Sequence, residues 1–471
     1  MNRKLLLITV LANTAYIIWL AFHIHGYEGV IFYLAEVTIS SLPVFFLFNH
    51  WTQEHVEHSY HQPKGSVDVF ISIVNEPLSL FEPVVEKALG ITYAWKKIYI
   101  LDDGKRESIR KLAMKHNVEY ISRPNSREDG KAGNLNYGLE HSTSDYILVL
   151  DADQEVTNPE ILNELLGHFQ ADTNLAMVAT RQKFDVPKND FNHDHIFYEH
   201  MQTGKNSNNA AISAGSGVIY SRKALDAVGG FQTWNIVEDL YTSYIFQIAG
   251  FKTQYVNKSY TLGTAPKRLA NIYKQRGTWA LDTMRLVFKD SPLFKKSLTF
   301  RQKVHYFDSA LAYIVSAIAV PIVFTMPTVA LLTNFQFISD PQEYLLLRVP
   351  SLILLLVLYA QLNGNAFSAS QWWASLWPVY LKSLVLAILP GKPMYKVTNK
   401  IEDNTREIVH IIPHILMIMA GIISVAIYYG LHGLTGFLLV NALWIALMMF
   451  WFYPVIVRGL TKELTTNLQK D

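Results

Sequence analysis

The sequence predicts an α/β domain inserted between α-helical transmembrane segments. Half of its 471 residues are hydrophobic and only 17% are charged, and the mean hydropathy of +0.14 is high for a soluble enzyme of this size. About six apolar runs are each long enough to cross a bilayer. Between the second and third runs, strand and helix patterns alternate through a long polar region, which is typical of an α/β domain.

The apolar runs divide the chain into three parts. Residues 1–50 form a predicted transmembrane hairpin, residues 66–298 the α/β domain, and residues 299–471 a second transmembrane region. The first run resembles a signal peptide in length. It lacks a small-residue cleavage site, however, and a second span follows at once, so a signal anchor is favoured. The predicted spans are 5–22, 30–48, 310–332, 344–362, 408–429 and 437–457.

The distribution of Lys and Arg orients these spans. The three loops 23–29, 333–343 and 430–436 contain no Lys or Arg, whereas the basic clusters all fall on the other side. Because short basic loops stay in the cytoplasm, we expect a multi-pass protein of the plasma membrane with both termini and the α/β domain cytoplasmic. Arg348 is the exception: this charge early in the fourth span either snorkels to the interface or lines a polar path.

Composition excludes several classes of function. The net charge of +2 is too small to indicate nucleic-acid binding. The sequence contains no cysteine, so it has no disulfide framework, thiolate nucleophile or thiolate metal site. The spacing of His193, His195 and His200 permits a zinc site, but no catalytic carboxylate pattern accompanies these residues, so zinc is disfavoured.

Carboxylates follow the predicted strands of the α/β domain. Strands are predicted at 67–74, 97–101, 118–122 and 146–150, each followed by a loop or helix signal, which indicates a largely parallel, helix-covered sheet. Ligands bind beyond the carboxyl ends of such strands. The residues at those ends are Glu76, Asp102, Asp103, Asp151 and Asp153.

The Asp151/Asp153 pair and Asp102 have different candidate roles. Asp151 and Asp153 point to the same side of an extended segment and could share one Mg²⁺ or Mn²⁺. An isolated Asp-x-Asp is a weak signal, but this one directly follows an apolar strand. Asp102 could instead cap the following helix.

The order of motifs resembles that of processive family 2 glycosyltransferases of the cellulose synthase type, which have a GT-A fold. The matching motifs are Asp102-Asp103-Gly104, Asp151-Ala152-Asp153, Val237-Glu238-Asp239 and the run from Gln275 to Trp279. Residues 129–136 are similar to the family's Lys-Ala-Gly-Asn-Leu-Asn element. Residues 395–400 resemble its Phe-x-Val-Thr-x-Lys gating loop, which we expect within 391–405.

The resemblance implies a role for each matched residue. Asp239 would be the general base, with Glu238 beside it in the catalytic site, and Asp151 and Asp153 would bind Mg²⁺ or Mn²⁺. Trp279 would be the acceptor platform. The residues implied to bind the UDP-sugar are Glu76, Asp102, Asp103, Lys131, Asp151, Gln275, Arg276, Thr398 and Lys400.

Two helices are predicted to lie at the inner membrane surface. The first, 267–288, carries Trp279 among apolar and basic residues, and Trp279 alone would suit a membrane-interface anchor. The second, 366–389, is long enough to be a span. If it crossed the membrane, the gating loop would lie outside, so the interfacial placement is favoured.

Two departures from the family pattern concern the acceptor end. Thr278 stands where the family has arginine, which removes a charged contact to the diphosphate worth ~1.5–3 kcal/mol. Ala214 stands where the family's Phe-x-Cys-Gly element has cysteine. Neither departure removes a candidate metal ligand or the candidate base.

Three functions are compatible with the sequence. The first, favoured by the gating motif, is an inverting enzyme that polymerises UDP-glucose into a β-glucan and extrudes it across the membrane. The second is a chitin-like or hyaluronan-like synthase, or a non-processive enzyme that glycosylates a lipid carrier. The third is a transporter or binding protein with an inactive domain, which the intact carboxylate series disfavours. Expected partners are the UDP-sugar, the growing polysaccharide and membrane lipid, and accessory subunits stay open.

Overall fold

The computed structural model describes residues 2–57, 59, 61–124, 127–188, 190–391 and 407–461. The α-helices in these ranges are α1 (Arg3–Ala21), α2 (Gly26–His50), α3 (Leu78–Leu89), α4 (Glu107–His116), α5 (Gly130–Glu140), α6 (Ile161–Leu165), α7 (Gly167–Ala171), α8 (Gln202–Asn206), α9 (Arg222–Val228), α10 (Glu238–Ile248), α11 (Leu269–Lys289), α12 (Phe300–Thr333), α13 (Pro341–Leu362), α14 (Phe367–Ser375), α15 (Trp377–Ile388), α16 (Ile412–His432) and α17 (Gly436–Leu460). The strands are β1 (Val67–Ile73), β2 (Lys96–Asp102), β3 (Glu119–Ile121), β4 (Tyr146–Asp151), β5 (Gln154–Val156), β6 (Leu175–Phe184), β7 (Val218–Ser221) and β8 (Lys252–Gly263).

Within the described ranges, eight strands form one sheet in the order β3-β2-β1-β4-β7-β6-β8-β5. The first four strands are mutually parallel, as their alternation with helices predicts. The other half is mixed, because β7 runs antiparallel to β4 and β6, and β5 runs antiparallel to β8. The prediction of a largely parallel sheet is therefore right only up to β4. Parallel strands need a crossover, usually a helix, and the regular alternation of strands and helices ends at β4.

Strand β1 lies between two hydrophobic cores. Val69 and Ile71 pack on one face with side chains of α3, whereas Phe70 points to the other face and packs with side chains of α5. Both faces are thus covered, which explains the continuous apolar run. In the register, Ile73 of β1 lies opposite Asp102, and Ser72 lies opposite Asp151. The carboxyl ends of β2, β1 and β4 therefore lie side by side.

Six helices of the described chain are long and apolar enough to cross a membrane, and they match the six predicted spans. These helices are α1, α2, α12, α13, α16 and α17. Helix α12 begins earlier than the predicted 310–332, because Thr299 and Gln302 form a capping box that starts it at Phe300. The fold class, an α/β domain between apolar helices, is confirmed.

Arg348 does not snorkel. Its guanidinium lies 2.9 Å from the Oε2 atom of Glu36 on α2, and the two side chains are 3% and 0% exposed. The guanidinium also lies 5.0 Å from the centre of the Tyr16 ring on α1. The snorkelling alternative is therefore wrong, because a partner carboxylate on a neighbouring apolar helix keeps the charge inside the helix bundle.

The two helices predicted at the inner membrane surface differ in outcome. Helix α11 agrees with the predicted 267–288, whereas the predicted 366–389 consists of α14 and α15, separated at Leu376. Pro378 lies in the first turn of α15, and a proline has no amide hydrogen with which to continue α14. The gating loop, including Thr398 and Lys400, lies outside the described residues. Its role and the surface location of both helices stay predictions.

Candidate active site

Three carboxylates and one lysine meet beyond the end of β4. The Nζ atom of Lys131, in the first turn of α5, lies 2.6 Å from Oδ1 of Asp151 and 3.0 Å from Oε1 of Glu238. It also donates a hydrogen bond of 2.7 Å to the carbonyl oxygen of Gly215. Gly215 has a φ of +83°, and a methyl group there would lie 3.0 Å from Oδ2 of Asp239. These contacts bring together Lys131, Asp151 and the first two residues of α10.

Burial and neighbouring charges together set the pKa values of Asp239 and Lys131. Burial, the charge of Glu238 and other neighbours together raise the pKa of Asp239 to about 7. Burial alone would lower the pKa of Lys131, but the attraction of Asp151 and Glu238 outweighs it and raises that pKa well above its usual range. At neutral pH, Asp239 therefore titrates beside a fixed positive charge, which suits a general base.

Asp151 lies at the mouth of the site, and Asp153, two residues later, is half-buried. Asp151 ends β4, its side chain is about one third exposed, and its backbone N–H donates to Ser216 Oγ at 3.0 Å. The ammonium group of Lys131 lies 2.6 Å from one Asp151 oxygen. This carboxylate therefore already has a positively charged group as its neighbour. Carboxylate oxygens without sulfur or imidazole suit Mg²⁺ or Mn²⁺. The residues present thus fit the predicted metal.

Glu76 and Asp102 shape the loops at the ends of β1 and β2. Oε2 of Glu76 accepts hydrogen bonds from the backbone N–H groups of Val74 and Asn75. The two oxygens of Asp102 accept from the backbone N–H groups of Gly104 and Arg106, each at 2.7 Å. Asp102 is fully buried and holds the loop before α4, but it does not cap that helix, whose N-cap Arg106 has no side-chain cap hydrogen bond.

Asp103 is held by an arginine that the sequence patterns do not identify. Nε and Nη2 of Arg123 donate to the two oxygens of Asp103 at 2.6 and 2.7 Å. Arg123 also donates to the carbonyl oxygens of Glu128 and Gly130, immediately before Lys131. The sequence feature that could have pointed to Arg123 is its position just after β3. Arg123 therefore joins the Asp-Asp-Gly loop to the segment that carries Lys131.

The acceptor side is built on α11. The guanidinium of Arg276 makes two hydrogen bonds of 2.6 and 2.9 Å to the carboxylate of Asp194, and it lies 4.8 Å from the centre of the Trp279 ring. It also lies 5.4 Å from the ring of Phe191. Arg276 is 9% exposed. These contacts place its guanidinium against the Trp279 ring, and the implied role of Arg276 in binding the UDP-sugar stays a prediction.

The remaining positions of the run 275–279 make local contacts. Gln275 is half-buried one turn before Trp279. The hydroxyl of Thr278 donates to the carbonyl oxygen of Lys274 in the same helix, at 2.9 Å. Ala214, where the family has cysteine, offers its carbonyl oxygen to the side chain of Gln182 at 2.7 Å. The Thr278 hydroxyl and the Ala214 carbonyl thus make hydrogen bonds to groups other than Asp239.

Asp282 ties the acceptor helix to the catalytic loop. Its two oxygens accept hydrogen bonds from the backbone N–H groups of Ile236 and Val237, at 3.2 and 2.9 Å, directly before Glu238. Burial raises the pKa of Asp282 to about 8. Because Asp282 stands three residues after Trp279, one helix positions both the candidate acceptor platform and the candidate base. No sequence motif identifies Asp282, since an Asp on a helix has no distinctive pattern.

A cavity of about 390 Å³ leads from this site into the transmembrane helices. Asp239, Arg276 and Trp279 line it at the domain side, and Arg348 and Trp444 line it within the helix bundle. Most of its other lining residues are apolar, with some polar side chains. Those polar residues include Asp308, Ser309, Tyr313, Tyr359 and Asn363. The candidate base and the interior of the bundle thus share one continuous space.

The histidines do not form the alternative zinc site in the described chain. Nε2 of His193 lies 3.0 Å from the carbonyl oxygen of Pro187, and Nδ1 of His195 lies 2.9 Å from a Glu199 oxygen. Burial lowers the pKa of His200 to about 4. Among the described residues, none of these three histidines belongs to a group of three close metal-ligating side chains, so the zinc hypothesis has no geometric support.

Two family models match consecutive parts of the chain. The model described as glycosyl transferase family 2 matches residues 68–229, and the model described as cellulose synthase matches residues 227–397. A cellulose synthase 1 catalytic subunit (UDP-forming) of Komagataeibacter xylinus is 30% identical over 392 residues, which cover 78% of this chain and 52% of that protein. A cellulose synthase catalytic subunit (UDP-forming) of Xanthomonas axonopodis pv. citri is 32% identical over 261 residues, covering 53% and 35%. The chain thus spans about half, or less, of these relatives.

A solved structure shares the fold at low identity. The mannosyltransferase PcManGT from Pyrobaculum calidifontis, in complex with GDP-Man and Mn²⁺, superposes with a TM-score of 0.57. The match covers 76% of this chain and 98% of that one, at 17% sequence identity. Together with the family models, this likeness confirms the predicted GT-A class of the α/β domain.

Proposed function

We infer that this chain, which belongs to the family 2 glycosyltransferases of the cellulose synthase type, is an inverting enzyme that polymerises glucose from UDP-glucose into a β-glucan. The observation that carries the proposal is the continuous cavity from Asp239 into the helix bundle. A soluble acceptor would need only an open cleft. A site that opens into transmembrane helices suits a product that leaves through them.

On the donor side, Asp151 and Asp153 would hold Mg²⁺ or Mn²⁺, a choice that agrees with the Mn²⁺ in the PcManGT complex. When bound, such a cation neutralises the negative charge that develops on the departing diphosphate. Lys131 would add a second positive charge to the same phosphates, since its ammonium already lies 2.6 Å from Asp151. Glu76 and Asp103 would border the uridine pocket, with Asp102 and Arg123 fixing its loops.

Asp239 would act as the general base. It would take the proton from the acceptor hydroxyl while the hydroxyl oxygen forms the new bond to the anomeric carbon and UDP leaves from the opposite face. An α-linked donor then gives a β-linked product. The pKa of about 7 keeps a useful ionised fraction of Asp239 at neutral pH. Glu238, 2% exposed and paired with Lys131, would help to set that pKa.

Trp279 would hold the terminal sugar of the acceptor, because an indole covers the apolar face of a pyranose ring. Arg276 and Asp194 support the ring and keep it at the cavity wall. The next sugars of the chain would enter the cavity, and each addition would push the product toward the other side of the membrane. Thr398 and Lys400, with the gating loop, would close over the donor.

We place the α/β domain in the cytoplasm, where UDP-sugars are made, and the product outside. The distribution of Lys and Arg among the connecting loops supports this orientation. A second candidate is a lipid-carrier glycosyltransferase. The mostly apolar lining of the cavity favours it, because a lipid tail would find Leu352, Leu355 and Phe324 there.

Incubation of the purified chain with labelled UDP-glucose and Mg²⁺, followed by linkage-specific hydrolases, tests the proposal. We expect a polymer that a β-glucanase digests. A product that extracts into organic solvent and carries one sugar would favour the lipid-carrier alternative, and polymer only from UDP-N-acetylglucosamine or with UDP-glucuronic acid would favour the chitin-like or hyaluronan-like synthase. Absence of transfer from every UDP-sugar would refute all three functions.

A further inference from the structure

A buried lysine lies where the α/β domain meets the apolar helices. Lys205 is the fourth residue of α8 and is 1% exposed. Full burial of a lysine is rare and costly unless the ammonium group has partners. Burial lowers the pKa of Lys205 to about 8, and the negative charge of Asp308 opposes this shift, so the side chain still carries its charge at neutral pH. The reaction described above gives this charge no role.

Lys205 ties α8 to the beginning of α12. Its Nζ atom donates a hydrogen bond of 2.7 Å to the carbonyl oxygen of His305, and it lies 5.6 Å from the centre of the Tyr306 ring. The preceding residue, Gly204, packs closely against α2, because a methyl group at Gly204 would collide with the ring of His50. Helix α8 of the α/β domain is thus seated on two of the apolar helices.

The first residue of α8 holds a loop formed by residues 212–215. Nε2 of Gln202 donates to the carbonyl oxygen of Ile212 at 2.6 Å, and the N–H of Ile212 donates to Oε1 of Gln202 at 3.2 Å. Because Gln202 is completely buried, the loss of either hydrogen bond would leave a buried polar group without a partner. Gln202 and Lys205 are three residues apart, so one helical turn joins the loop to α12.

The 212–215 loop contacts the candidate active site at two points. The N–H of Ser213 donates to Oγ of Ser243 at 2.9 Å, and that hydroxyl donates to the carbonyl oxygen of Asp239 at 2.7 Å. At the end of the loop, the carbonyl oxygen of Gly215 accepts the hydrogen bond from Lys131. A displacement of the loop would therefore move both the candidate base and the lysine beside it.

We propose that Lys205 is a positioning residue of the reaction, which fixes the 212–215 loop, and through it Asp239 and Lys131, relative to α2 and α12. The main cavity is lined by Asp239 and by α12 residues such as Ser309 and Tyr313. An acceptor in this cavity is held partly by the helix bundle, so the bundle and the base need a fixed separation for proton transfer. This inference rests on the proposed function, because it takes Asp239 to be the base.

Two variants break the connection at its two ends. Lys205→Met keeps most of the side-chain length and removes the ammonium group, and Gln202→Met removes both hydrogen bonds to Ile212. The matched control is Asn206→Leu on the same helix. Asn206 is 7% exposed, and its Oδ1 accepts a hydrogen bond of 2.7 Å from the N–H of Tyr255 in β8. The control thus removes a comparably buried hydrogen bond that leads to the sheet instead.

The kinetic readout is UDP release over a range of UDP-glucose concentrations. We expect each single variant to lower kcat about tenfold with an unchanged KM for UDP-glucose, and the control to keep the wild-type kcat even if its melting temperature falls. Because the two contacts act in series, the double variant Gln202→Met/Lys205→Met should also lose about tenfold, whereas independent effects would multiply to about a hundredfold. A wild-type kcat in either single variant, multiplied losses in the double variant, or an equal loss in the control would overturn the proposal.

A second measurement does not depend on activity. Amide hydrogen exchange of the peptide that contains Ser213 and Gly215 should become faster in Lys205→Met and stay at the wild-type rate in Asn206→Leu. An unchanged rate in Lys205→Met would overturn the proposal while leaving the proposed function standing. A wild-type chain that transfers no sugar would instead refute the proposed function, and faster exchange would still support the connection through α8.

Gly204→Ala covers the case in which Lys205→Met does not fold. The added methyl group would push α8 away from His50 without touching the 212–215 loop directly. We expect the same loss of kcat and the same faster exchange of the loop. Wild-type values of both quantities in Gly204→Ala would overturn the proposal.

Discussion

Asp282→Ala tests whether the acceptor helix holds the catalytic loop. The substitution removes the acceptor of two hydrogen bonds, from the backbone N–H groups of Ile236 and Val237 at 3.2 and 2.9 Å. Both N–H groups then lose their partner directly before Glu238 and Asp239. We expect kcat to fall because Asp239 loses its fixed position relative to the acceptor hydroxyl.

The size of the effect follows from those contacts. An unpaired buried donor costs ~1–3 kcal/mol, and the lower value applies here because Asp282 lines the cavity, from which water can reach the loop. Two donors at ~1 kcal/mol each give about 2 kcal/mol, or roughly a 30-fold loss of kcat. Asp282→Asn keeps one acceptor oxygen, so we expect a loss of about fivefold.

The assay measures UDP release from UDP-glucose over a range of donor concentrations, together with the melting temperature of each variant. Lys289→Ala is the control, since Lys289 lies on the same helix, is exposed and contacts neither the loop nor the cavity lining among the described residues. We expect the KM for UDP-glucose to stay constant. If Asp282→Ala lowers the melting temperature but leaves kcat equal to that of the control, Asp282 supports the fold and not the base.

Other predictions concern the base, the metal and the acceptor platform. Asp239→Asn should abolish transfer while UDP still binds, and residual turnover near wild type would assign the base elsewhere. Because burial and then Glu238 raise the pKa of Asp239 to about 7, and the ionised form is the base, kcat/KM should rise with pH and reach half its plateau near pH 7. Glu238→Gln removes a negative neighbour, so the midpoint should move to lower pH, and a midpoint that moves upward contradicts the assignment. Removal of divalent cations with a chelator should stop transfer. Asp151→Asn should increase the Mg²⁺ or Mn²⁺ concentration that is needed to restore it. Activity that is the same with and without chelator would exclude the metal. Arg276→Lys should raise the KM for an oligosaccharide acceptor about tenfold, because it weakens the charged hydrogen bonds to Asp194 by ~1.5 kcal/mol. The KM for UDP-glucose should not change.

The first half of the sheet and the spans could be predicted because their signals are local. Each of β1, β2 and β4 is an apolar run that stops at a polar loop, and parallel strands bring those stops to one edge. The antiparallel entry of β7 could not be predicted in the same way. It follows a long connection after β6 whose direction depends on packing and not on the four residues of the strand.

The site residues that sequence reasoning missed act through partners distant in the chain. Asp194 pairs with Arg276 across 82 residues, and Asp282 bonds to a loop 46 residues earlier. Glu36 lies within an apolar run. The sequence alone shows only an unfavourable charge there, whereas the tertiary structure places Arg348 beside it. None of these pairings has a characteristic spacing, so only the tertiary structure identifies them.

The arrangement of α11 suggests how donor and acceptor chemistry stay aligned. Trp279 and Asp282 are three residues apart, so they project from neighbouring positions of one helix. Trp279 lines the cavity, where it would face the sugar acceptor, and Asp282 holds the loop that carries Asp239. A displacement of the acceptor platform would therefore move the base with it, and the distance between the two would change less than either position. If the product advances after each addition, as proposed, a shared support of this kind would let the acceptor helix shift without misaligning the proton transfer.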